Sequence, residues 1–197
     1  MMKTNHFLFS VLFLLTFFAI KANAQTGCPV TISQPAELKI ENITKASYHG
    51  SDLSCSNATD GQITVTATGG TGTFEYSKDN GATYQSSNVF SGLSAGIYQI
   101  VVKDANGCTT APQQIDITAP AALTMSIAKS DVTCFGDNNG WIKVTVSGGS
   151  GQYRFSKDGG SNFTPFQAGN EYTFENLVAG TYNIVAEDEN GCSAACP

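Results

Sequence analysis

Positive charge is scarce in this chain. Its 197 residues hold ten lysines and arginines against sixteen aspartates and glutamates, a net charge of −6. Arg154 is the only arginine, and no stretch gathers the lysines into a patch. A nucleic-acid partner demands clustered cations that displace counterions from phosphates, so that class is disfavoured. An anionic membrane surface is disfavoured on the same ground. Apolar stripes at helical spacing are missing over any three turns, which argues against helices. Histidine is rare as well: beyond the first residues only His49 remains, and no Cys-x-x-Cys pair exists, so a zinc site lacks its usual ligands.

A long apolar run occurs once, from Phe7 to Ile20, behind Lys3 and ahead of Ala22-Asn23-Ala24. It is short for a membrane span, and it is followed by the small-x-small pattern that signal peptidase cuts. Residues 1–24 are therefore expected to be a signal peptide, with the mature chain starting at Gln25 and no membrane span left after cleavage. A lipid anchor at Cys28 ranks second, because Gln25-Thr26-Gly27 offers no aliphatic residue where a lipid-attachment box wants one.

What remains says nearly the same thing twice. Ile63, Val65 and Ala67 fall on Ile142, Val144 and Val146, and Gly69-Gly70 falls on Gly148-Gly149, at an offset of 79. Phe74 to Asp79 meets Tyr153 to Asp158, and five extra residues in the second copy then move the offset to 84. Leu93-Ser-Ala-Gly-Ile-Tyr98 meets Leu177-Val-Ala-Gly-Thr-Tyr182, and Asp104-Ala-Asn-Gly-Cys108 meets Asp188-Glu-Asn-Gly-Cys192. A repeat of this length means tandem domains.

Within each copy the hydrophobic period is two, as in Gln62 to Ala67, Ile97 to Val102 and Trp141 to Val146. Asn-Gly, Asp-Gly and Gly-Gly pairs punctuate these runs with residues that tolerate positive φ. Half-buried strands separated by such turns predict two tandem antiparallel β-sandwich units with Greek-key connections. Ile32-Ser-Gln-Pro35-Ala36 and Ile117-Thr-Ala-Pro120-Ala121 mark the boundaries. Unit one is read as 35–118 and unit two as 120–197, with 25–34 resembling the tail of a preceding unit. Unit two lacks a match for Gln114 to Ile117, the last strand of unit one, and so reads as truncated. The favoured explanation is a fragment of a longer repeat protein. A different closure of unit two, and donation of Pro29 to Ser33 by a neighbouring molecule, are the alternatives, since an unclosed sandwich leaves backbone groups open for pairing.

Six cysteines, Cys28, Cys55, Cys108, Cys134, Cys192 and Cys196, are expected to form disulfides in an exported chain. Cys55–Cys108 with Cys134–Cys192 is the simplest scheme, although in an immunoglobulin-like sandwich it joins residues at opposite poles. Bridges such as Cys28–Cys55 and Cys108–Cys134 are the other scheme, and neither accounts for Cys196.

The ordered pattern of Cys, Asp/Asn-Gly, alternating strand, Gly-Gly-x-Gly-x-aromatic, Ser-x-Asp turn, Leu-x-Ala-Gly-x-Tyr and Asp-x-Asn-Gly-Cys resembles the SprB-type repeat. It spans about Cys55 to Cys108 and Cys134 to Cys192. That family occurs in tandem in surface and secreted adhesins of gliding bacteria with type IX secretion. The resemblance implies an all-β, immunoglobulin-like repeat protein, secreted or at the cell surface, with an adhesion or spacer role linked to gliding motility or biofilm. Members usually carry many repeats and often a sorting domain, whereas two repeats are present here.

Ser77-Lys-Asp79-Asn-Gly81-Ala-Thr83-Tyr84 also fits an Asp-box, kept largely in Ser156 to Phe163. Its expected form is a β-hairpin in which the aspartate caps backbone donors and the aromatic packs beneath. A sialidase would add an arginine cluster, which Arg154 alone cannot supply. His49, Ser51 and Asp52 can be drawn as a nucleophilic triad, but a solvated loop is the expected reading, and no enzyme is predicted. Asp60, Asp104, Asp137 and Asp188 are calcium candidates, although aspartate before Asn or Gly is first a turn former. No other cofactor is implied. Tyr84 and Phe163, with Trp141, are candidate glycan contacts, although an aromatic on a strand is ordinarily core. The second functional reading is an ancillary glycan-binding module of a secreted polysaccharide-degrading system. The surface glycan or protein ligand is not identified by the sequence.

Overall fold

The computed structural model describes residues 30–195. The leader, Cys28 and Cys196 lie outside the described residues. The chain divides between Gln34 and Pro35. Residues 30–34 have no regular secondary structure, and Val30 and Ile32 are 85% and 95% exposed.

From Pro35 the alternating runs form twelve strands, and no helix occurs among the described residues. None there is long and apolar enough to cross a membrane. The first repeat holds β1 (Lys39–Lys45), β2 (Gly61–Thr68), β3 (Glu75–Ser77), β4 (Val89–Leu93), β5 (Gly96–Lys103) and β6 (Gln113–Ile117). One sheet runs β1-β2-β4 and the other β3-β5-β6, all antiparallel. The chain changes sheet between β2 and β3, between β3 and β4, and between β4 and β5. This is the Greek-key crossing of an immunoglobulin-like sandwich. The second repeat has the same plan, with β7 (Thr124–Ser130), β8 (Gly140–Ser147), β9 (Tyr153–Ser156), β10 (Glu171–Leu177), β11 (Val185–Asp188) and β12 (Ser193–Ala195) in sheets β7-β8-β10 and β9-β11-β12.

Period two in sequence becomes burial in structure. Ile63 and Val65 on β2 meet Ile100 and Val102 on β5, with Leu53, Phe90, Leu93 and Ile117 closing the core. Val144, Val146, Phe155, Phe174, Leu177, Ile184 and Ala186 form its counterpart. Each such side chain stabilises the fold by about 1.5–3 kcal/mol. The glycine pairs have a specific use: Gly70 N donates to Ala36 O and Gly149 N to Ala121 O, both at 2.8 Å. Gly69 and Gly148 both have φ +79°, and a Cβ on either would collide with the backbone of the segment leading into the first strand. The Gly-Gly pair is thus the seat on which each repeat's entry rests.

The repeats differ at their last strand. β6 pairs with β5 from Gly96↔Ile117 to Ile100↔Gln113. β12 pairs only with Val185 to Glu187. Its place corresponds to the isolated Lys103↔Thr109 bridge of the first repeat, so the counterpart of β6 would begin at position 197. Without that ladder, Gly180 to Ile184 does not join β11, although Gly-Thr-Tyr-Asn-Ile closely matches the Gly-Ile-Tyr-Gln-Ile that opens β5. A strand is stabilised by its neighbours, and among the described residues no counterpart of β6 pairs with this segment.

Candidate functional site at the junction of the repeats

The residues that bring chemistry together lie where the loop after β1 meets the turn after β11. The turn is built on Asp188, which is wholly buried. Its carboxylate accepts N–H bonds from Ser150 at 2.9 Å, Asn190 at 3.0 Å and Cys192 at 2.9 Å. A buried carboxylate satisfied by three backbone donors fixes the turn geometry. Asp104 does the same in the first repeat for Thr71, Asn106 and Cys108.

That turn presents Asn190 and Cys192 to the first repeat. Asn190 Nδ2 donates to Ser54 O at 3.2 Å, and Cys192 is bonded to Cys55 with Cα atoms 5.7 Å apart. His49 Nδ1 lies 2.8 Å from Asn190 Oδ1, and its Nε2 lies 3.2 Å from Glu189 Oε2. The Cys55–Cys192 bridge corrects both pairing schemes drawn from sequence. The first cysteine of a repeat does lie at the pole opposite the second, which rules out pairing within a repeat. In a tandem array those opposite poles of successive repeats meet, so the bridge crosses the junction. Among the described residues Cys108 and Cys134 have no disulfide partner, and both are exposed.

The loop holding His49 is solvated only in part: His49 and Gly50 are exposed, as expected, while the residues that follow turn inward. Asp52 is 8% exposed and Leu53 is 1% exposed. Asp52 accepts from Lys45 Nζ at 2.7 Å and from the N–H and hydroxyl of Thr118, both at 2.8 Å. Burial pushes its carboxyl up, but the Lys45 and Thr118 bonds outweigh this and hold it below the ordinary range. His49 faces the second repeat while Asp52 faces Thr118, so the two form no catalytic relay. The sequence signal for this docking was the six extra residues between β1 and Cys55, compared with the second repeat.

Both Asp-boxes form the hairpin drawn from sequence. Asp79 accepts from Thr83 Oγ1 at 2.5 Å, Thr83 N at 2.9 Å and Ser77 Oγ at 2.7 Å, while Gly81 N donates to Ser77 Oγ at 2.8 Å. Asp158 repeats this with Ser156, at 2.6 Å, and both donors of Asn162. Hydrogen bonds from Thr83 chiefly, and from Ser77, bring Asp79 from an ordinary 3.8 down to about 2. Those from Ser156 and Asn162 bring Asp158 to the same value. Tyr84 and Phe163 lie under the glycines of their turns. Lys103 Nζ stands 4.1 Å from the centre of the Tyr84 ring, and the Arg154 guanidinium 4.5 Å from that of Phe163, so each ring has a face taken by a cation. Trp141, read as core from its strand position, is instead 38% exposed.

The calcium candidates act locally. Asp60 accepts from Ser54 N, and Asp137 from Thr133 Oγ1 and Cys134 N. No three His, Cys, Asp or Glu side chains gather into a metal-holding group among the described residues.

With this geometry in place, comparison with known families finds that the SprB repeat matches residues 50–83 and 126–162, one segment in each sandwich. The chain is similar to the SprB repeat at these two places. The SprB repeat is one of surface and secreted adhesins, and both it and the immunoglobulin-like fold are typically non-enzymatic. No curated protein sequence matches the chain. Among solved structures, a C-terminal fragment of intimin in complex with the intimin-binding domain of its translocated receptor is similar at 14% identity and TM-score 0.38, over 80% of this chain and 62% of that one. Fibronectin(III)-like modules of Clostridium thermocellum CbhA match at 17% and 0.27, over 80% and 89%. A Dscam structure matches at 15% and 0.31, over 80% and 45%. With TM-scores this low, the assignment rests on the SprB match and on the sandwich topology itself.

Proposed function

We propose that this SprB-repeat chain works outside the cell, at the surface or in the medium, as an adhesion or spacer protein with no catalytic step. The observation that carries this reading is the disulfide across the repeat junction. Joining residues 137 positions apart, it ties successive repeats into one unit, which suits a protein that bears load rather than one that opens around a substrate. The role extends to gliding or biofilm through attachment to a surface glycan or protein. The test is deletion of the gene with attachment and spreading as readouts, followed by addition of the purified exported chain. Attachment that falls on deletion and returns with added protein supports the role, and unchanged attachment and spreading contradict it.

Trp141, exposed on β8 beside a cavity of about 290 Å³, favours a second reading as an ancillary glycan-binding module. Binding to a polysaccharide panel that is lost in Trp141→Ala, with the fold intact, supports that reading. Binding that survives Trp141→Ala and is lost in Tyr84→Ala and Phe163→Ala transfers it to the hairpin aromatics.

A further inference from the structure

Two departures from the repeat meet at the junction. Tyr48 to Ser51 has no counterpart in the second repeat, and Glu189 stands where the first repeat has Ala105. They lie within reach of each other, His49 Nε2 being 3.2 Å from Glu189 Oε2.

Both partners are held by their own local structure. Tyr48 and Ser51 exchange two backbone hydrogen bonds, at 2.7 and 3.1 Å, and His49 and Gly50 between them have φ of +49° and +94°. This is the two-residue hairpin turn with both central residues left-handed, an uncommon conformation for a residue that carries a side chain, and it aims the imidazole across the junction. On the other side Glu189 N donates to Gln152 O at 3.0 Å, and Gln152 N donates to Glu189 Oε2 at 3.2 Å. A Cβ on Gly151 would collide with that carboxylate, so the glycine leaves it room.

Asn190 fixes the second contact. Its Nδ2 donates to Ser54 O at 3.2 Å and to Ser150 Oγ. A carbonyl only accepts, so the amide is oriented with Oδ1 towards His49 Nδ1, at 2.8 Å. Both ring nitrogens therefore face oxygens that only accept. A neutral imidazole has one N–H and leaves the other contact as lone pair against lone pair, whereas the imidazolium donates to both. Other ionisable groups around the ring are engaged elsewhere. In the first repeat Asp60 accepts from Ser54 N, Asp52 is held by Lys45 and Thr118, and the Tyr48 hydroxyl donates to Asp60 O. In the second, both oxygens of Asp188 are taken by backbone N–H groups.

We propose that His49 is a proton-operated latch between the repeats. With a proton taken from solvent it closes onto Glu189 and Asn190 and locks the two sandwiches together. Without that proton the contact opens, and the junction keeps its Cys55–Cys192 bond but loses the pair that fixes its angle. The closed form holds the proton and the open form releases it, so the locking is complete below the ordinary histidine value of about 6.5 and is lost as pH rises above it. The bridge holds both sides at high effective concentration, so a charge-assisted hydrogen bond, about twice as strong as a neutral one, is enough to decide between them. The stiffness of the pair then follows the acidity of its surroundings. This does not rest on the adhesive role.

The full chain, exported and purified without reductant, tests this by nuclear magnetic resonance at about pH 5.5 and about pH 8, on either side of the histidine range. Relaxation and residual dipolar couplings read whether the sandwiches reorient together. The expected result is one rigid body at the lower pH and independent reorientation at the higher, with both ring nitrogens of His49 protonated in the locked state. His49→Asn keeps a residue that tolerates the left-handed turn, and Glu189→Ala restores the alanine of the first repeat. Each is expected to abolish the response and leave the sandwiches independent at both pH values. The His49 side chain is 48% exposed and that of Glu189 27%, and the bridge remains in both variants, so the fold is kept. A wild-type chain that reorients alike at both pH values overturns the proposal. So do a pH response that survives either substitution and a locked junction in which His49 carries a single ring proton.

Discussion

At the scale of the residue, the aspartates set the character of the molecule. Asp79 and Asp158 accept three hydrogen bonds each, and their carboxyls titrate near 2 in the folded state against 3.8 ordinarily. Because the folded value is the lower one, their stabilising effect is complete above about pH 4 and is lost as pH falls towards 2. The thermal midpoint is expected to fall through that window, and less steeply in an Asp79→Asn, Asp158→Asn double variant. A wild-type midpoint flat from pH 5 to 2, measured by circular dichroism, contradicts this. These hairpins were legible because Ser-x-Asp-x-Gly carries its own mechanism. The Cys–Asp-turn motif was half legible: Asp188 was recognisable as a turn former, but its complete burial and its role in aiming Cys192 depend on Ser150, 38 residues earlier. Trp141 was misjudged because period two says only that a strand has two faces. Which face is covered is decided by the opposing sheet.

At the scale of the element, β2 and β5 were readable from alternation and β1 from its proline entry. The difference between β5 and β11 lay beyond local sequence, because both have nearly the same residues and only a neighbouring strand separates eight paired residues from four. The junction was illegible for a related reason. Pairing of cysteines depends on which poles face each other, and this is a property of the tandem arrangement rather than of either repeat. The staple closes a loop of 137 residues, for which chain entropy gives roughly 4–5 kcal/mol. Cys55→Ser with Cys192→Ser is expected to lower unfolding free energy by about that amount, whereas Cys108→Ser leaves it within about 0.5 kcal/mol. Equal urea midpoints for the two variants contradict that assignment.

At the scale of the whole molecule, two sandwiches of small core each are joined by a covalent bond and by the contacts of Asn190 and His49. A small β-domain gains stability from such a cross-link, and a series of them gains continuity. The acidic balance keeps like surfaces apart, so association falls to directed contacts such as strand edges and cysteines. The adhesion and spacer role depends on one claim, that disulfides in this chain run from one repeat to the next. Mass spectrometry of the non-reduced, proteolysed native protein tests it most directly. A linked peptide pair containing Cys55 and Cys192 is the result predicted here, and Cys55 linked to Cys108 with Cys134 linked to Cys192 would contradict it.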